Sequence, residues 1–187
     1  MTLRHPLLLG LLLASLAACT PWGRVDSSSR VETRTSDYSV ELPLGWVKST
    51  DSSNGTFITR DGPALNAIFI TRKPHDAKLP RTQRTTNADM LPHELAELTL
   101  AEWRSTDATA NLDVISNTPA TLGGQPAVRL HIRYRNERGL PIERVMIGMV
   151  DAKGRLALQY EAPGIVYFQR NLADFEAMAA SVKLQMP

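Results

Sequence analysis

The chain has a single cysteine, Cys19, among its 187 residues. A lone thiol excludes an intramolecular disulfide, so the fold must be held by a packed core. Charge of one sign is equally scarce: 21 Lys and Arg stand against 19 Asp and Glu, a net charge of +2. That balance argues against nucleic acid as a partner, because phosphate binding needs a basic face and is driven by counterion release. The apolar stretch from Pro6 to Ala18 is 13 residues long, and a membrane-spanning helix needs about 20. Catalytic signatures are missing too. No G-x-S-x-G elbow occurs. His93-Glu94-Leu95-Ala96-Glu97 puts glutamate where H-E-x-x-H needs its second imidazole, which removes the two-histidine zinc face. His75, on an expected loop, and His131, on an expected strand, have no ligand-like spacing to it. Gly123-Gly124 precedes a strand, whereas phosphate loops open onto a helix N-terminus. Neither an enzyme nor a cofactor is expected.

What is present starts at the N-terminus. Arg4 and His5 precede the leucine run Leu7–Leu9 and Leu11–Leu13, the pattern of a secretory signal. Leu16-Ala17-Ala18-Cys19 then reads as a bacterial lipobox. Ordinary signal peptidase prefers small residues at −3 and −1, and cleavage before Cys19 puts Leu16 at −3, which favours the lipoprotein route. A buried or free thiol at Cys19 is the alternative, but it leaves the adjoining leucines unexplained. Residues 1–18 are therefore expected to be removed, leaving 169 residues of net charge +1 with acyl chains on Cys19. Thr20, rather than an aspartate, after the cysteine is the pattern exported to the outer membrane, facing the periplasm, in a Gram-negative host.

Residues 19–37 are rich in Ser, Thr and Arg and poor in apolar side chains. They are expected to form a flexible tether with a reach of about 25 Å. Trp22 either sits at headgroup depth, as interfacial tryptophans do, or packs loosely on the tail. Residues 38–187 are expected to be one folded domain; a chain of this size buries enough surface for a single core. Tyr38, Val40 and Leu42 alternate as an opening strand. A hairpin follows, with Thr56 to Arg60 and Leu65 to Arg72 around the Asp61-Gly62 turn. Residues 73–86 read as a polar surface loop. A helix capped by Asp89 is expected to run to about Ser105, with Leu91, Leu95 and Leu98 as its stripe. Strands 112–122, 125–135, 142–151 and 155–161 come next, the first pair joined at Gly123-Gly124. Phe168, Leu172, Phe175, Ala179 and Val182 mark one face of a closing helix.

Tyr38-Ser39-Val40-Glu41-Leu42-Pro43-Leu44-Gly45-Trp46 resembles the opening strand and Pro-x-Gly-Trp turn of the PsbP-like superfamily. That group includes the photosystem II oxygen-evolving subunit P, a Ran-binding nuclear import factor and bacterial lipoproteins of the DcrB type. The resemblance continues through Gly123-Gly124-Gln125-Pro126-Ala127, the hairpin ending at Gly154, and the last helix with Phe168, Phe175 and Ser181. It implies an α+β fold, an antiparallel β-sheet flanked by α-helices on both faces, and a non-catalytic domain that binds or helps assemble other proteins. Trp46 is expected as a plug at one end of the core rather than as a ligand contact.

One constellation rises above background. Arg129, His131, Arg133 and Arg135 share one side of a strand, with Arg138 and Arg144 close by. They form a candidate surface for an anionic partner, or else a solvated face neutralised by Glu137, Glu143 and Glu161. Two functions follow. One is a membrane-anchored, protein-binding or assembly module of the cell envelope. The other is a periplasm-facing carrier or sensor of a small apolar or anionic ligand, which needs a deep pocket.

Overall fold

A computed structural model describes residues 21–34, 37–51, 53–109 and 111–185. The expected signal segment and Cys19 lie outside the described residues.

Eleven strands and two helices are described. The strands β1 (Trp22–Arg24), β2 (Val31–Arg34), β3 (Tyr38–Glu41), β4 (Val47–Ser49), β5 (Thr56–Thr59) and β6 (Ala67–Lys73) precede helix α1 (Pro92–Arg104). After a single 3-10 turn come β7 (Asp113–Leu122), β8 (Gln125–Arg135), β9 (Pro141–Asp151) and β10 (Gly154–Pro163), then helix α2 (Tyr167–Ala180) and β11 (Lys183–Leu184). Eight strands form one antiparallel sheet in the order β1-β4-β5-β6-β10-β9-β8-β7. A second sheet has the order β11-β3-β2.

The long meander follows from its turn chemistry and its period. Leu122 pairs with Gln125 across Gly123-Gly124, whose φ values of 58° and 80° are those of a primed two-residue hairpin turn. Gly154 has φ 124°, and a Cβ there would lie 2.2 Å from the Lys73 carbonyl oxygen, so only glycine lets β10 pass β6. In β8, Val128, Leu130, Ile132 and Tyr134 are buried and pack with Leu95, Ala96 and Leu100 of α1. In β9, Val145, Ile147 and Met149 pack instead with Phe168, Phe175, Met178 and Ala179 of α2, while Met146 joins the α1 cluster. The continuous apolar run of β9 is thus buried on both sides, as its composition predicts.

Helix α1 starts one residue after Leu91, with Pro92 where a missing N–H costs nothing. Glu94 reaches back, and its Oε2 accepts from the Leu91 N–H at 2.7 Å. Asp89 is therefore not the cap, and Leu91 is exposed rather than part of the stripe. Leucine has no side-chain acceptor, so the carboxylate from the first turn satisfies the start of the helix.

The flexible-tether expectation for residues 19–37 fails over Trp22–Arg34. Trp22 pairs with Ser49 and Arg24 with Val47; Val31–Arg34 pairs with Tyr38–Glu41. Val25, only 3% exposed, belongs to the α2 core cluster, and its N–H donates to the Trp46 carbonyl at 2.8 Å. Between the two strands Asp26 Oδ1 accepts from the N–H groups of Ser28 and Ser29 at 2.9 and 3.0 Å. The serines that read as linker composition are turn residues. Nor does Tyr38–Glu41 open the main sheet; it pairs with β2 and β11 in the small one.

Candidate functional site

Arg129, His131, Arg133 and Arg135 alternate along β8 with Val128, Leu130, Ile132 and Tyr134, which pack with α1, and the first two meet residues of α2. Arg129 donates to Glu176 Oε1 of α2 from Nη2 at 2.7 Å and from Nε at 3.1 Å. The His131 ring stacks on Phe168 of α2, with centroids 5.1 Å apart and planes at 13°. Its Nε2 hydrogen-bonds with Glu143 Oε2 at 2.7 Å. Arg133 Nη2 donates to the other oxygen of the same carboxylate at 3.0 Å. Glu143, a buried carboxylate opposite Arg133 in the ladder, is thus satisfied on both oxygens. Gly164 makes room for it, since a Cβ there would lie 2.9 Å from Oε1.

The row therefore divides. Arg129 and His131 are half-buried and hold α2 against the sheet, while the Arg133 side chain is 53% exposed and Arg135 is exposed. Arg135 donates to the Gly139 carbonyl at 2.8 Å. Neither Arg135 nor Arg138 forms an ion pair among the described residues. Of the acids expected to neutralise the row, Glu143 does so. Glu161 instead takes Arg144, whose guanidinium lies over the rings of Trp103 and Tyr134 at 5.1 and 5.2 Å. Burial pushes the Tyr134 hydroxyl up to about 12, so it is neutral and accepts from Arg144 Nη2 at 3.3 Å. The other carboxylate that meets the row, Glu176, comes from α2, 47 residues beyond Arg129.

Beside the exposed arginines stands an apolar surface that the sequence reading did not single out. Ile165 is 75% and Val166 55% exposed, and Leu140 is exposed as well. The two loops that carry them are joined by the Gly164 N–H, which donates to the Pro141 carbonyl at 3.0 Å. The legible signal was an isoleucine–valine pair in the turn just before the helix. A cleft of about 470 Å³ at the same end of β8 is lined by Asp107, Asp113, Arg133, Tyr134 and Arg135 among others.

The other residues of interest have structural settings. Trp46 is completely buried, and its Nε1–H donates to Asp174 Oδ2 of α2 at 2.9 Å. Arg60 donates to the same oxygen, while Arg170 pairs with Asp61. His75 Nδ1 lies 3.1 Å from Thr86 Oγ1, and His93 is exposed on α1. Among the described residues, no three His, Cys, Asp or Glu side chains form a metal-binding group. No described helix is long and apolar enough to cross a membrane.

An antiparallel sheet carrying this meander, a first helix after the hairpin and a closing helix defines an α+β protein of PsbP-like fold. Solved structures agree. The chain superposes on a cyanobacterial PsbP, CyanoP, from Synechocystis sp. PCC 6803 with a TM-score of 0.54 and 14% identity, covering 87% of this chain and 98% of that one. LpqN, involved in cell envelope biogenesis of Mycobacterium tuberculosis, gives 0.51 and 14% over 88% and 91%. A Bacteroides thetaiotaomicron protein gives 0.50 and 10% over 84% of this chain and 48% of its own. No protein-family model and no curated protein sequence matches the chain.

Proposed function

We propose that the chain is a lipoprotein of the bacterial cell envelope, anchored through Cys19 and acting as a non-catalytic protein-binding or assembly module. The observation that carries the module reading is the exposed surface formed by Leu140, Ile165 and Val166 beside Arg133, Arg135 and Arg138. Protein interfaces combine an apolar centre with arginines in this way. The fold shared with LpqN, itself involved in cell envelope biogenesis, supports the envelope setting. The lipobox and the short apolar run support the anchor, with the outer membrane as its destination in a Gram-negative host. The DcrB-type lipoproteins are the relatives this reading favours.

The architecture proposed to present the surface has α1 and α2 on opposite faces of the large sheet. The division of neighbouring β9 residues between the two core clusters supports it. The carrier alternative has less in its favour, because the cleft nearest the row is lined by charged side chains and the sheet faces beneath both helices are filled.

Cross-linking and affinity capture from native membranes test the reading. The variant Arg135→Glu/Arg138→Glu/Ile165→Ser alters exposed positions, so its stability is expected within about 0.5 kcal/mol per substitution of the parent. Loss of a captured envelope protein, with weaker capture as salt screens the charges over about 8–10 Å, is the expected result. A folded variant that retains every partner removes this surface.

A further inference from the structure

We propose that the aromatic row Trp22–Phe57–Phe69 is a second contact surface, docked on the bilayer interface beside the anchor; this rests on the reading of Cys19 as the lipid-bearing residue. Trp22 of β1 packs edge-on against Phe57 of β5, with centroids 5.4 Å apart. Phe57 stacks on Phe69 of β6 at 4.6 Å and 5°. Ile58, Ile68 and Ile70, the alternate residues of the same strands, belong to the α2 core cluster. The three aromatics therefore leave the sheet on its other side, where α1 packs on β7, β8 and β9. Trp22 and Phe57 are half-buried and Phe69 is 38% exposed.

The chain itself names the occupant. Cys19 lies three positions before Trp22, a reach of at most about 11 Å. Trp22 is fixed in the sheet by its pairing with Ser49, and the Pro21 carbonyl accepts from the Thr50 N–H at 2.9 Å. An acyl chain on Cys19 thus holds this edge of the domain against the lipid headgroups, with no long tether to let it leave. Tryptophan is enriched at that depth, and the two phenylalanine rings packed behind it extend the apolar surface it presents. The rim sets a limit to insertion. Asp51, beside Phe57 and Phe69, keeps a carboxylate below its ordinary value through hydrogen bonds from the Ser53 N–H and hydroxyl. Exposed Arg24, two residues along β1, adds a cation on the same side. Charged groups so placed belong in the headgroup layer rather than in hydrocarbon.

The test uses the full, processed chain reconstituted in phosphatidylethanolamine–phosphatidylglycerol vesicles carrying bromine at defined acyl depths. The Trp22→Phe variant, measured in parallel, isolates the Trp22 emission from that of Trp46 and Trp103. About twofold quenching of the Trp22 component by bromines near the glycerol, and much less by those deep in the chain, is expected for an interfacial ring. Phe57→Ser/Phe69→Ser should reduce that quenching while the protein still floats with the vesicles and melts cooperatively. Protein that floats with Trp22 unquenched overturns the docking and leaves the anchor standing. Protein that does not float at all refutes the anchor, and the docking with it. Cross-linking of Trp22 to another protein in native membranes, with no quenching in vesicles, overturns lipid as the occupant.

Discussion

Single residues carry two kinds of work in this protein, and burial separates them. Phe175 is completely buried and stacks on Tyr160 with centroids 5.8 Å apart. Phe175→Ala is expected to cost about 3–5 kcal/mol, read from the urea midpoint at unchanged slope. Glu143 is a different case, because removing its carboxylate strands a half-buried imidazole while the Arg133 head can turn to water. Glu143→Ala is expected to destabilise by about 1–3 kcal/mol in the same measurement. Asp26 is exposed, yet hydrogen bonds from the Ser28 and Ser29 hydroxyls and N–H groups hold its carboxyl at about 2 instead of 3.8. A folded value below the unfolded one stabilises above the unfolded value and loses that contribution as pH falls. The turn is therefore expected to weaken between about pH 4 and pH 2. A carbon-detected NMR titration of Asp26 with a midpoint near 3.8 would contradict the turn.

At the scale of elements, legibility tracks length and local turn chemistry. The four long strands β7–β10 fall within one or two residues of their expected bounds, because each has a clear period and a glycine-bearing or polar turn. Helix α2 shows its face in Phe168, Phe175 and Ala179, although Val182 lies past its end. The strands Trp22-Gly23-Arg24 and Val31-Glu32-Thr33-Arg34 were invisible, being too short to show a period and set among serines and threonines. Their partners, Val47–Ser49 and Tyr38–Glu41, are recognised only once the chain has folded. The site follows the same rule. The row on β8 was legible from its period of two, and Glu143 as its neighbour from the hairpin. Glu176 and the stacking of His131 on Phe168 depend on how α2 lands, which no local pattern encodes. An element-scale expectation follows: removing residues 1–34 takes away β1, β2 and the buried Val25 side chain. Compared with a chain starting at residue 21, that truncation should lower the thermal midpoint. Val25→Ala alone should cost about 1.5–3 kcal/mol. Equal stability of the two truncated chains would return this segment to the status of a linker.

The whole molecule places its candidate contact surfaces on different sites of one scaffold. Leu140, Ile165 and Val166 are exposed on the adjoining loops where β9 begins and β10 ends, while Trp22, Phe57 and Phe69 lie toward the β1 edge of the large sheet. A module held to lipid by one surface can present the other to an envelope protein, with the sheet as the rigid connection between them. The claim on which this arrangement depends is the acylated cysteine. Intact-mass and N-terminal peptide analysis of the protein extracted from its own membranes tests it most directly. The account predicts a chain beginning at Cys19 and carrying the mass of a diacylglycerol group, with or without a third acyl chain. A chain that begins at any other residue, or one whose Cys19 carries no lipid, would contradict it.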